Sequence, residues 1–242
     1  MLLQRHKRLM DRALQRIQEG LSIMENPYLS LSWGKDSTLI LFLMILNDIK
    51  IPAVYMNSGY ALPTTYEYRD FILKNYDINY IEISKGVDYL DLCKNIGLPH
   101  ERTEYEQSKT VSIIKKKKAD SIAESYGFDG NYWGIRTDES KKRLHLIKTK
   151  GFIFKSKTTN LYRCSPIADF KTSDVFEIYE GMNLPINPIY NQTMYIDKFK
   201  IRNSGWLSTD GAADGCIVWL KYYYPELFAR LQKEFPEIRG YV

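Results

Sequence analysis

One stretch of this chain spells out a strand, a polar loop and a helix in consecutive residues, and it limits the fold more than any other. Residues 28–31 form a short apolar run, which breaks at Ser32-Trp33-Gly34-Lys35-Asp36-Ser37. Residues 38–46 then resume as an apolar run at helical density. A helix that begins just after a strand turns its unpaired N–H groups toward the loop, and these hold anions such as phosphate. Gly34 allows close approach to the backbone, and Lys35 adds a positive point charge. Asp36 and Ser37 stand at the helix start, where they cap it or meet a metal-bound phosphate. The loop is not a Walker A motif. Leu29 and Asp36 occupy the places that pattern reserves for its first Gly and its Ser or Thr. The competing reading is an ordinary strand-to-helix turn with an exposed lysine.

Further along, strand-like and helix-like patterns alternate. Residues 51–56 read as a strand, 66–76 as a helix and 78–83 as a strand. Helical patterns cover 87–96 and 119–126, and a short strand at 131–135 leads into Gly134-Ile135-Arg136. Alternation of this kind predicts an α/β fold: a mostly parallel sheet joined by right-handed crossovers. Such sheets bind ligands beyond the carboxyl ends of their strands, where strand order reverses. Three polar loops follow predicted strands: 32–37, 57–65 (with Ser58 and Gly59) and 136–143. One shared rim is the expected active site. Residues 152–161 predict a β-hairpin turning near 156–160. Thr172 is a candidate hydroxyl cap for a helix with Asp174 in its first turn, stopped by Gly181 with Pro185 and Pro188 beyond. From Tyr195 onward the chain reads as helical and aromatic.

Length and composition set the outer limits. A chain of 242 residues buries a large core, about 70% of its unfolded surface. The expected division is an N-terminal helix (1–26), a nucleotide-binding α/β domain (27–190) and a helical C-terminal extension (191–242). Leu2, Leu3, Met10, Leu14, Ile17 and Leu21 give the first helix its apolar side. The first twenty residues mix both charge signs without an apolar core, unlike a signal peptide. No apolar run reaches the roughly 18 residues of a membrane span. The net charge of +5 suits nucleotide or nucleic-acid ligands. Cys93, Cys164 and Cys216 form no CxxC pair and are odd in number, so no disulfide scaffold or zinc site is expected, and a reducing cytoplasm is the expected compartment. Lys115 to Lys118 read as a solvated helix face before a nucleic-acid contact. His100 and His145 read as surface residues.

Two more blocks carry chemistry. Gly134-Ile135-Arg136-Thr137-Asp138-Glu139-Ser140 runs into Lys141, Lys142 and Arg143. Arg136 and Arg143 offer rigid forks of donors that suit phosphate or sulfate oxygens. Farther on come Cys164-Ser165-Pro166-Ile167-Ala168-Asp169-Phe170, Ser173-Asp174-Val175-Phe176 and Leu184-Pro185-Ile186-Asn187-Pro188-Ile189-Tyr190. The 32–37 loop resembles the SGGKDS pyrophosphate loop of the adenine nucleotide alpha-hydrolase-like superfamily. With the arginine block, the proline blocks and residues 54–68 (VYMNSGYALPTTYEY), the chain resembles the phosphoadenosine phosphosulfate reductase family over roughly residues 28–190. Three departures stand out: Trp33 replaces a Gly, Asn57 an Asp and Thr64 a Glu.

The resemblance implies a twisted, mostly parallel sheet flanked by helices, with a helical C-terminal extension. It also implies an adenine-nucleotide site built from Ser32, Trp33, Gly34, Lys35, Asp36, Ser37, Ser58, Gly59, Gly134 and Arg136. Lys35, Asp36, Arg136 and Arg143 are the expected catalytic groups, and Asp36 the expected magnesium ligand, with ATP or phosphoadenosine phosphosulfate as substrate. Four chemistries stay open. Cleavage of ATP at its α–β bond, activating an acceptor, needs pyrophosphate clamps and no protein nucleophile; it ranks first. Sulfonucleotide reduction needs a thiolate, and Cys216 lies in Asp214-Gly215-Cys216-Ile217-Val218 without the histidine of the family's ECG[LI]H segment. Sulfur transfer through Cys216 is the third, and a non-catalytic nucleotide-binding regulator the fourth. Three cysteines do not make the four-ligand set of an iron–sulfur cluster, so none is expected. The aromatic C-terminal region is free to pack on the sheet, form a homodimer or cover the site. Nucleic acid stays open as a partner on the basic charge alone.

Overall fold

Strand β1 (Pro27–Leu31) has parallel neighbours on both sides, β2 (Ala53–Met56) and β4 (Gly130–Tyr132). Leu29 sits opposite Ala53 on one side and Tyr132 on the other. This computed structural model describes residues 2–57, 59, 61–84, 125–203 and 215–242. Among them the sheet has six strands in the order β3-β2-β1-β4-β6-β5, with β3 at Tyr80–Ile83, β5 at Ile153–Lys155 and β6 at Tyr162–Cys164. All pairings are parallel except β5 with β6, the two arms of a hairpin. The expected mostly parallel α/β sheet is the one observed. Sequence runs outward from β1 through β2 to β3, then restarts on the other side at β4. The point of reversal therefore lies between β1 and β4, and their carboxyl ends carry the 32–37 and 133–143 loops.

Helices cover the sheet. Beyond its polar first turn, α2 (Lys35–Ile45) is apolar on every side, and Leu39 to Met44 are all buried, as a helix in the middle of a core must be. α1 (Gln4–Ile23) buries His6, Leu9, Ala13, Ile17 and Gly20, so of the expected apolar positions only Ile17 lies in its buried stripe. Small residues sit where this helix comes closest to the sheet: a Cβ on Gly20 would meet the Tyr132 hydroxyl at 2.7 Å. That hydroxyl donates to the Ile17 carbonyl at 2.8 Å. Among the described residues no helix is long and apolar enough to cross a membrane.

Boundaries moved for local reasons. α3 (Pro63–Asn75) starts ahead of the expected residue 66, since proline fits a first helical turn. β4 ends at Tyr132, short of residue 135, because Gly134 packs against the start of α2 instead of continuing the ladder. The hairpin's second arm begins at Tyr162, after a turn closed by Ser156 N–H to Leu161 O at 2.9 Å. α4 spans Lys141–Lys150 and α5 Thr172–Gly181. Thr172 is not the cap of α5. Lys171 holds the cap position, and Asp138 from the arginine loop accepts the Thr172 N–H at 2.8 Å. The helix expected at 87–96 and nearly all of that at 119–126 lie outside the described residues.

The chain divides into two units. The first comprises Met1–Met56, Arg69–Ile83 and Lys115–Ile186, and holds the sheet; the second comprises Asn57–Tyr68, Ser84–Ile114 and Asn187–Val242. The second has its own core, where Trp219 and Leu220 of α6 (Cys216–Tyr223) and Phe228 and Leu231 of α7 (Pro225–Glu234) are buried with Ile189, Ile217 and Ile238.

Candidate anion-binding site

The β1–α2 loop is knitted by its two serines. Ser37 Oγ accepts the Ser32 N–H at 3.1 Å and lies 3.0 Å from Ser32 Oγ. No side chain caps α2 at Gly34, and the N-terminal end of a helix favours an anion. Gly34 itself has ordinary extended geometry (φ −82°); the left-handed residue is Trp33, at φ 59°. That explains why a Gly suits position 33. The indole does not enter the loop: it is fully buried, with ring centroids 5.6 Å from Tyr80 and 6.4 Å from Tyr55.

Lys35 is also buried, at 6% exposure. Its Nζ donates to Asp36 Oδ2 at 2.8 Å and stands 5.9 Å from the Phe176 ring. Burial pulls its ammonium below the ordinary lysine range, opposed by the neighbouring Asp36 charge. Its carbonyl accepts the Tyr179 hydroxyl at 2.8 Å, which ties the loop to α5.

Gly134 brings the second loop in. A Cβ there would lie 2.7 Å from Ser37 N and 2.9 Å from the Asp36 carbonyl carbon, so the two backbones touch. Two residues on, Arg136 is 1% exposed, and its Nε donates to the other oxygen of Asp36 at 2.7 Å. Its Nη1 donates to Asp138 Oδ1 at 2.7 Å and to the Phe170 carbonyl at 3.4 Å. Glu139 accepts the Arg136 N–H at 3.0 Å and pairs with Arg143, whose side chain is 39% exposed. The structure thus gathers Ser32, Gly34, Lys35, Asp36, Ser37, Gly134 and Arg136 at the sheet's reversal point, with Arg143 linked through Glu139.

Sequence reasoning missed the support behind Arg136. Residues 165–170 hold its loop from below: Ser165 Oγ accepts the Trp133 indole N–H at 2.5 Å, and the Ala168 carbonyl accepts Thr137 N–H at 2.8 Å. Asp169 fastens that segment to α1. Its Oδ2 accepts from Arg12 at 2.7 Å, and its Oδ1 accepts from Arg16 at 2.6 Å. The signal was present in the Pro166–Phe170 block, but nothing in it named Arg12 or Arg16 as partners.

Other expected residues belong to the second unit or fall outside the described residues. Ser58 is outside, as are Cys93, His100 and Lys115 to Lys118. Gly59 (φ 74°) turns under Asn57, whose Oδ1 accepts the Gly59 N–H at 2.8 Å and the Tyr66 hydroxyl at 3.1 Å. Thr64, in the place of a family Glu, meets the Tyr224 hydroxyl at 2.7 Å. This unit holds a cavity of about 700 Å³ walled by Tyr66, Tyr223, Tyr224 and two prolines, with Glu226 and Arg230 among its charged residues. Of the described thiols, Cys164 is buried in the sheet, and burial pushes it well above the usual range; Cys216 is half-buried at the start of α6. Among the described residues no trio of His, Cys, Asp or Glu forms a metal cage.

The chain matches the model of the phosphoadenosine phosphosulfate reductase domain over residues 26–238. It is 24% identical over 207 residues to sulfate adenylyltransferase subunit 2 of Agrobacterium fabrum, covering 76% of this chain and 63% of that protein. It is 25% identical over 186 residues to phosphoadenosine 5'-phosphosulfate reductase of Proteus mirabilis, covering 74% and 72%. In structure it resembles the phosphoadenylyl-sulfate reductase of Candida auris, solved with phosphate. The TM-score is 0.57 and the identity 14%, across 79% of this chain and 92% of the other.

Proposed function

The chain belongs to the phosphoadenosine phosphosulfate reductase family, and from that premise we propose that it binds an adenine nucleotide at the 32–37 loop and cleaves ATP between its α and β phosphates to activate an acceptor. One observation carries this reading. An uncapped helix N-terminus, a buried lysine and a buried arginine converge on the loop between β1 and α2. Such an arrangement suits a pyrophosphate clamp, and nucleotidyl transfer needs from the protein only orientation and charge stabilisation.

In the proposed reaction an acceptor oxygen attacks the α-phosphorus, and the bond from that phosphorus to the bridging oxygen breaks. The α2 N–H groups and Lys35 take up charge on the departing pyrophosphate, and Arg136, fixed by Asp138, takes up the remainder. Asp36 is the carboxylate that would hold magnesium. This fits an ion that uses one or two protein carboxylates and fills its other positions with phosphate and water; when bound, it neutralises the leaving group. Arg143, more exposed, is proposed to contact the outer phosphate oxygens.

Sulfonucleotide reduction is the second reading, supported by the Proteus mirabilis relative and by Cys216, the more accessible of the described thiols. One pair of substitutions separates the two. Under adenylyl transfer, Lys35→Ala lowers pyrophosphate release from ATP by about tenfold or more (roughly 1.4 kcal/mol), while Cys216→Ser leaves it intact. Under reduction, Cys216→Ser abolishes thioredoxin-dependent sulfite release. Small, equal effects of both substitutions would sink both readings.

A further inference from the structure

Charge is unevenly shared along this chain. Between Ser140 and Ala168 there are eight lysines and arginines and no aspartate or glutamate; the whole chain carries +5, so the remainder nets −3. The segment comprises α4, the β5–β6 hairpin and the turn that follows, all within the sheet unit. Six of the lysines are exposed: Lys141, Lys142, Lys148 and Lys150 on α4, and Lys155 and Lys157 on the hairpin. Among the described residues no carboxylate pairs with any of the six.

Two ordinary roles of surface lysine cover part of this. Lys155 lies on β5, the edge strand of the sheet, where a charge guards against pairing with another chain. Lys148 and Lys150 stand in the last turn of α4, where the helix dipole favours cations. Neither role reaches Lys141 and Lys142. They occupy the first turn, at the positive end of the dipole, and no acidic residue accompanies them. A helix shaped only for solubility gains from mixing both signs along its exposed side. Lys141 and Lys148 are seven residues apart, so α4 presents them on one side, two turns from each other. The basic surface continues past the helix end. Lys150 Nζ stands 5.3 Å from the Phe154 ring, which sets the last turn of α4 against β5. Phe154 is paired with Arg163 in the ladder, and that guanidinium is 5.4 Å from the Trp133 ring.

We propose that α4 and the β5–β6 hairpin form a docking surface for nucleic acid, held by its phosphate backbone. A line of regularly spaced phosphates matches a row of exposed cations, and binding releases the counterions condensed on that backbone. α4 has ten residues and so runs about 15 Å, the span of about four phosphates on one strand. Trp133 and Phe154 are half-buried, each beside a cation, so neither ring stands clear to stack on a base. The contact is therefore to backbone and carries no sequence preference. The surface adjoins the anion site, since Arg143 in the first turn of α4 pairs with Glu139 of the arginine loop. It stands without the pyrophosphate reading, because none of the six lysines belongs to the 32–37 loop.

Fluorescence anisotropy with short labelled duplexes of DNA and of RNA, each of mixed sequence, tests it on three proteins. These are wild type, Lys148→Glu/Lys150→Glu/Lys155→Glu, and Lys7→Glu/Lys74→Glu/Lys233→Glu, which makes the same change of charge at exposed lysines elsewhere. Wild type is expected to bind at least one duplex, with affinity falling about thirtyfold or more between about 50 and about 200 mM salt. The first variant, shown folded by circular dichroism, should bind about tenfold more weakly or worse, with a salt slope shallower by about three. The second should stay within about threefold of wild type. Binding of either duplex supports the proposal, and the ratio of the two affinities names the preferred sugar. Equal losses in the two variants would trace the attraction to net charge and overturn it. Salt-independent binding, or no binding of either duplex by wild type at low salt, overturns it without any variant. Binding of phosphatidylserine vesicles in place of both duplexes overturns it too, and makes the surface a membrane contact.

Discussion

Trp33 carries a backbone angle that suits glycine, and left-handed geometry costs a residue with a side chain roughly 1–2 kcal/mol. Burial of the whole indole beside Tyr55 and Tyr80 offsets that cost, so the loop keeps its shape without the small residue. Gly134 is the opposite case, since there the missing side chain is what lets the two loops touch. In Gly134→Ala the new methyl meets the Ser37 amide at 2.7 Å, and backbone yields less readily than a flexible side chain. The variant should lose about 1–3 kcal/mol of stability by denaturant melting, with pyrophosphate affinity falling as the Arg136 loop is pushed from α2. An alanine protein with wild-type stability and affinity would mean the two loops tolerate separation. Their motifs marked Gly134 and Lys35 as candidate site residues. The sequence did not reveal why Gly134 is needed, because backbone-to-backbone contact between distant loops leaves no local pattern. Nor did it reveal that Trp33 turns into the core, since a bulky residue in a polar loop reads as an obstruction.

Among the elements, α1 does more than cover the sheet. Through Arg12 and Arg16 it holds Asp169, and through residues 165–170 it holds the carbonyls under Thr137 and Arg136. Burial pushes the Asp169 carboxyl up, but the two arginines outweigh it and leave it below its ordinary value of 3.8. A carboxyl lowered in the folded state contributes stability that is fully present above its ordinary value and is lost as pH falls through the folded one. Asp169→Asn should therefore cost about 0.5–1 kcal/mol at neutral pH, modest because the pair is partly solvated. The gap from wild type should hold down to about pH 5 and close in stronger acid. Urea melts at a series of pH values would check this; a gap that persists at pH 2 would put the effect in packing instead of charge. Alternating strand and helix patterns made the sheet and its parallel sense legible. The buried stripe of α1 was not, because His6, Ala13 and Gly20 lie in it and a search for large apolar residues passes over them.

At the scale of the molecule, the proposed anion-binding and catalytic residues all fall in the sheet unit, while the 700 Å³ cavity falls wholly in the other. The second unit is assembled from stretches far apart in sequence, tied by bonds such as Thr65 Oγ1 to Asn203 Oδ1 at 2.6 Å and Trp219 Nε1 to the Gln192 carbonyl at 2.7 Å. It also has a core of its own, so it need not stiffen when the sheet unit takes an anion. Magnesium pyrophosphate at a hundred times its Kd adds about 2.7 kcal/mol to the structure that binds it. Hydrogen exchange would show where that energy goes. Slowed exchange is expected in peptides covering β1, α2 and the 133–143 loop, with rates in peptides covering residues 187–203 and 215–242 unchanged. An acceptor seated against Tyr66, Tyr223 and Tyr224 should slow exchange in the second set. Equal slowing in both sets by magnesium pyrophosphate alone would mean that the two units open as one cooperative body, and the energy of anion binding would then be shared with the cavity from the outset.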